Sequence, residues 1–162
     1  HKTRMRFFLF DKIVEFKKNE RCVGIKCVSY SEDFFIKHYD RCPIMPESLV
    51  LEAIGQVGSW ATAASIDFEA ISLLLSIGNF KSYKSVKAGD TLRLEVDILS
   101  NNDFGSQVSG IAKVGEEVVA EAEKIVFWSY KYEGYSQEYE REFNLYRSGD
   151  ASFLDNVWYQ AL

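Results

Sequence analysis

The chain contains two histidines, His1 and His38. The second opens the run HYDRCPIMPESLVLEAIGQ, residues 38–56, which also carries Glu52. An imidazole titrates near neutral pH. A carboxylate set among Leu49, Val50, Leu51, Ala53 and Ile54 is costly to desolvate. Together the two types suit acid–base proton transfer. Taken singly, each is weak evidence. A lone histidine before a helix is more often a loop residue, and Glu52 could equally point to solvent or pair with a lysine. The chain opens His-Lys-Thr-Arg without methionine, so His1 is not counted as functional.

The elements that would position this pair are legible in the apolar pattern. Pro46 and Glu47 open a helix, since proline suits the first helical position and an acidic residue suits the positive end of the helix. Leu49, Val50, Ala53, Ile54, Val57, Trp60, Ala61 and Ala64 then recur at helical spacing with a broad buried face. Ala53, Gly55 and Gly58 are small enough to let another backbone approach. Ahead of the helix, residues 7–16 read as an apolar lead-in and a strand. Residues 20–30 read as a second strand, with Val23, Ile25 and Cys27 on one face and Gly24 and Lys26 on the other. SEDFFIKHYDRCP is a loop. Behind the helix, residues 71–81 begin almost wholly apolar, as expected of a strand covered on both sides. Residues 91–99 alternate, with Leu92, Leu94, Val96 and Ile98 facing in. Residues 105–114 and 117–128 form a hairpin through Val114-Gly115-Glu116-Glu117.

One long apolar helix among antiparallel strands is an α+β arrangement, a sheet curled around that helix. Residues 1–129 form this domain. Residues 130–162 are rich in tyrosine and acidic groups, and Tyr139, Phe143 and Tyr146 have helical spacing. The segment is too short for a core of its own, so a C-terminal helix and strap on the surface of the same domain is expected.

Composition excludes several functions. A net charge of −5 argues against nucleic acid as the partner, because phosphate binding needs a basic face. Three cysteines without C-x-x-C spacing, with two histidines, make no zinc site, and no cofactor is expected. Cys22 and Cys27 fall on opposite faces of one strand and should not pair, so a reducing cytoplasm is the simplest home. No apolar run reaches the roughly 20 residues that span a bilayer. No signal peptide is apparent.

The run HYDRCPIMPESLVLEAIGQ resembles the signature H-F-P-G-x-P-I-M-P-G-x-L-x-x-E-A-x-x-Q of the FabZ-type 3-hydroxyacyl-acyl-carrier-protein dehydratases. The matches are His38, the aromatic Tyr39, Pro43-Ile44-Met45-Pro46, Leu49, Glu52-Ala53 and Gln56. FFLFDKIVEF and SEDFFIKH are similar to the family's opening and to the stretch before its histidine. VKAGDTLRLEVDIL resembles V-x-P-G-D-x-L-x-x-E-V-x-x-L, and AKVGEEVVAEAE resembles A-x-V-D-G-x-V-V-A-E-A-E. The likeness runs from about residue 7 to residue 128, and the tail lies outside it.

The resemblance implies the hot-dog fold, dimerising through the sheet edge, and the dehydration of (3R)-3-hydroxyacyl thioesters on acyl carrier protein to trans-2-enoyl thioesters. That reaction needs a base near neutral, an acid for the departing hydroxyl, and a donor for the enolate-like oxygen. By resemblance His38 is the base, Glu52 the acid, and the backbone N–H of Glu47 the oxyanion donor. The family builds each site from two chains, His38 of one facing Glu52 of the other. A homodimer is implied, with a trimer of dimers as the larger assembly. The acyl chain would lie along the helix, lined by Phe34, Phe35, Ile54 and Leu74, although core packing alone would also explain these residues. An acidic carrier protein would dock on Arg41, Lys81, Lys84 and Lys87. The bland alternative is that these are ordinary solubilising charges.

Three family glycines are replaced, by Lys37, Arg41 and Glu47, and Asp40 replaces a proline. Glycine serves where φ is positive or a backbone must be approached. These changes leave three readings open: a dehydratase with a remodelled entrance, which both retained catalytic types favour; a hot-dog protein that binds acyl thioesters and turns over poorly; and an acyl thioesterase.

Overall fold

The long helix forms where the apolar spacing places it. In the computed structural model, which describes residues 8–37, 42–131, 134 and 136–148, helix α2 spans Glu47–Ser65. Pro46 is its N-cap rather than its first helical residue, with φ −56° and ψ 137°. The Pro46 carbonyl accepts from the N–H of Leu49 at 2.9 Å and of Val50 at 3.2 Å. The N–H groups of Glu47 and Ser48 have no acceptor within the helix.

Around α2 curls a six-stranded antiparallel sheet. In chain order its strands are β1 (Lys12–Lys17), β2 (Arg21–Cys27), β4 (Ala70–Ser82), β6 (Thr91–Asn101), β7 (Gly105–Val114) and β8 (Glu117–Lys131). Their order across the sheet is β1-β2-β6-β7-β8-β4. A short ribbon pairs β3 (Ile44–Met45) with β5 (Val86–Lys87), Ile44 opposite Lys87. This ribbon fixes the chain just ahead of α2. Helix α1 (Asp33–Lys37) occupies part of the stretch expected to be loop.

The core lies between α2 and the concave face of the sheet. Leu92, Leu94, Val96, Val108, Ala112 and Ile125 are completely buried there, opposite Ile54, Val57 and Ala61. The helix sits close because the sheet gives way at two glycines. A Cβ at Gly24 would lie 2.7 Å from Val57 Cγ2, and one at Gly110 would collide with Ile54. On the helix side, Gly58 packs on Val108 and Phe127, whereas Gly55 has nothing against it.

The two faces of β2 alternate as read, and the structure assigns them: Gly24 faces α2 and Cys22 belongs to the core, so the even-numbered residues point inward. Lys26, of the same parity, is only 5% exposed and pairs with Glu32 and Asp11. The expectation at β4 is corrected. Strand β4, expected to be covered on both sides, is an edge strand. Its Leu74 is 51% and its Leu75 69% exposed.

Beyond β8, helix α3 (Ser136–Ser148) packs across α2 and β1. Its Phe143 is buried, stacking on Trp60 of α2 at 6.1 Å between centroids and meeting Phe16 of β1 edge-on at 5.2 Å. No described helix is long and apolar enough to cross a membrane. Residues 149–162 lie outside the described region.

Candidate active site

Helical geometry gives α2 a second stripe beside its buried one. Glu52, Gln56, Ser59 and Ala63 recur at intervals of three and four, so they share a face, and Trp60 flanks it beside Ser59. This face looks onto the edge strand β4. Between them lies a cavity of about 190 Å³, lined by Glu52, Gln56, Ser59, Trp60, Leu73 and Leu74, among others.

Glu52 stands at the mouth of that cavity, exposed in the single chain. Its carboxylate Oε1 accepts from Gln56 Nε2 at 3.1 Å. Gln56 in turn accepts from the N–H of Leu9 at 2.9 Å through its own Oε1. The amide is thereby oriented by the N-terminal lead-in, and it orients Glu52. Among the described residues the partner of Glu52 is thus an amide, and no lysine or arginine pairs with it. A carboxylate held by a neutral donor and open to a cavity is placed to give or take a proton.

Glu47 begins the same helix. Its side chain is partly buried, and its N–H is one of the free first-turn donors. It lies five residues before Glu52, about 7–8 Å along the axis. His38 and Arg41 lie outside the described residues. The chain enters that stretch from α1 and leaves it at Cys42, two residues before β3. Among the described residues no group of three or more His, Cys, Asp or Glu side chains is arranged to hold a metal.

The residues named for the acyl chain separate. Leu74 lines the cavity beside Glu52. Ile54 is fully buried over Gly110, and Phe35 is buried in the core. Phe34 packs on Phe35 at 4.7 Å between centroids. These three do not line the cavity. The named lysines are exposed but partly engaged. Lys81 pairs with Glu121 at 3.6 Å, Lys84 pairs with Glu117, and Lys87 is exposed on β5. Sequence reading passed over Gln56, Ser59 and Trp60 as site residues. Their signal was the interval from Glu52 along the helix.

A long helix wrapped by an antiparallel sheet is the arrangement of the hot-dog class. Solved structures agree on the fold. A Streptococcus mutans protein, smu.793, bound to acetyl CoA superposes with a TM-score of 0.61 at 17% identity, covering 81% of this chain and 97% of that one. The dehydratase heterocomplex ApeI:P of Xenorhabdus doucetiae gives 0.55 at 12% identity, covering 72% and 93%. The FabA-like domain family matches residues 2–123. A 3-hydroxyacyl-[acyl-carrier-protein] dehydratase FabZ of Anoxybacillus flavithermus is 40% identical over 121 residues, which is 74% of this chain and 85% of that protein. The FabZ of Caulobacter vibrioides is 34% identical over 123 residues, 74% and 77% of the two chains. The chain belongs to the FabA-like family, among its FabZ-type dehydratases.

Proposed function

We propose that the chain is a cytoplasmic hydro-lyase that dehydrates (3R)-3-hydroxyacyl thioesters, carried on acyl carrier protein, to trans-2-enoyl thioesters in fatty-acid or specialised lipid biosynthesis. The observation that carries this reading is Glu52. It is the family's acidic residue in the family's motif, oriented by Gln56 and opening onto a cavity lined by Leu73 and Leu74.

In this reading His38 removes the proton from the carbon next to the thioester carbonyl. The electron pair released forms the carbon–carbon double bond as the β-carbon–oxygen bond breaks. Glu52 gives its proton to the departing hydroxyl, which leaves as water. The proton on His38 returns to Glu52 through solvent, restoring both groups. The Glu47 N–H donates to the thioester oxygen, where charge builds up, and the aligned dipoles of α2 support it.

The active unit is a homodimer, with a trimer of dimers as a larger form. Strand β4 supports this. Among the described residues it leaves one row of backbone groups unpaired, and next to Leu74 and Leu75 the exposed Trp128 of β8 extends the apolar surface. A second copy joining through this edge under two-fold symmetry would cover the leucines and close the Glu52 cavity from outside. His38 of each chain then serves Glu52 of the other. The carrier protein docks near Arg41 and Lys87, where acidic side chains meet basic ones.

The test is incubation with a crotonyl thioester. Loss of the conjugated double bond without release of free thiol is the expected result. Thiol release with the double bond retained would assign the site to hydrolysis instead.

A further inference from the structure

The groove that starts at Glu52 does not end with the family domain. A second cavity, of about 230 Å³, adjoins the first along α2, and the two share Ser59, Trp60, Ser72 and Leu73. Its far side is formed by Phe68 and by Tyr139, which belongs to α3. That helix lies beyond the family match, which ends at residue 123. Trp60 is the wall common to both cavities, and α3 holds it from three positions. Tyr139 meets it edge-on at 5.9 Å, Phe143 stacks on it at 6.1 Å, and Tyr146 meets it edge-on at 5.8 Å. A ring packed against that many neighbours has few rotamers open to it.

We infer that α3 is a chain-length gauge: through Tyr139, and through the Trp60 ring that it fixes, it ends the acyl groove and limits the substrates to chains shorter than hexadecanoyl. The occupant is the apolar tail of the thioester on which the proposed dehydration acts, so this inference rests on that reading. The continuity of the groove with Glu52 argues for that occupant, because a β-carbon placed at Glu52 sends the rest of its chain along the same face of α2. Trp60 lies eight residues beyond Glu52, about 12 Å along the axis. An extended chain advances about 1.3 Å per carbon, given C–C bonds of ~1.5 Å. The first cavity therefore takes about nine carbons past the reacting one, and the second, which reaches Ala63 about 4.5 Å further along the axis, takes about three more before Tyr139. Chains of up to about fifteen carbons fit, and a hexadecanoyl chain reaches past Tyr139.

The experiment measures kcat/KM for 3-hydroxybutanoyl, 3-hydroxyoctanoyl and 3-hydroxyhexadecanoyl thioesters on acyl carrier protein, together with binding of the corresponding saturated acyl thioesters. The full chain is compared with Tyr139→Ala and Tyr139→Trp. The expected result is a hexadecanoyl-to-octanoyl ratio that rises about tenfold in Tyr139→Ala and falls in Tyr139→Trp, in turnover and in binding alike. Turnover with the same ratio in all three proteins would overturn the gauge and leave the dehydratase reading standing. Binding whose length preference shifts as expected, with no turnover by any protein, would overturn the dehydratase reading and leave the gauge standing. Unfolding of Tyr139→Ala would leave Tyr139→Trp to decide, since a larger ring in a half-open cavity shortens the groove without removing the packing on Trp60.

Discussion

At the scale of single residues the account depends on Glu52 and on what aims it. The Gln56 amide is held between the Leu9 N–H and the Glu52 carboxylate. Glu52→Gln keeps the shape and removes the transferable proton, so kcat should fall by about 10²–10⁴-fold. Gln56→Leu leaves Glu52 chemically intact but unaimed, and about a tenfold loss in kcat with little change in KM is expected. A steady-state comparison of the two variants checks both. An unchanged rate in Glu52→Gln would remove Glu52 from the mechanism. The motif made Glu52 legible in the sequence. The role of Gln56 was not, because its second partner, Leu9, is far away in the chain and is brought near only by folding.

At the scale of elements, apolar spacing was a good guide to α2 and to β6, where burial and periodicity coincide. It left open which face of β2 points inward, because apolar residues occupy both parities and the missing side chain of Gly24 is what admits Val57. It misread β4. Its leucines look like the interior of a sheet, and a sequence does not distinguish cover within one chain from cover by a second. The outer face of the sheet carries its own determinant. Glu95 loses hydration on burial, which by itself would raise its pKa, but hydrogen bonds from Arg21, Arg93 and Lys113 outweigh this and hold it at about 2. Arg21 Nη2 is 2.7 Å and Lys113 Nζ 3.2 Å from its carboxylate. A carboxylate depressed in the folded state stabilises fully above its unfolded pKa of 4.5, and the contribution fades as pH falls toward about 2. Glu95→Gln should therefore cost about 2 kcal/mol at neutral pH, with the difference shrinking below 4.5. Denaturant titrations of both proteins across that range check the sign.

At the scale of the whole molecule, three observations converge on a second copy. Glu52 is exposed beside a cavity, β4 is an edge strand with no further neighbour among the described residues, and Leu74 and Leu75 are bare. The bare edge and the bare leucines are unfavourable in an isolated chain, and one two-fold contact would cover both. The most direct measurement is activity after co-refolding equal amounts of His38→Ala and Glu52→Ala. If each site takes His38 from one chain and Glu52 from the other, half of the dimers formed are mixed and each mixed dimer has one intact site. The account predicts recovery of about one quarter of wild-type activity. A mixture no more active than either variant alone would contradict it.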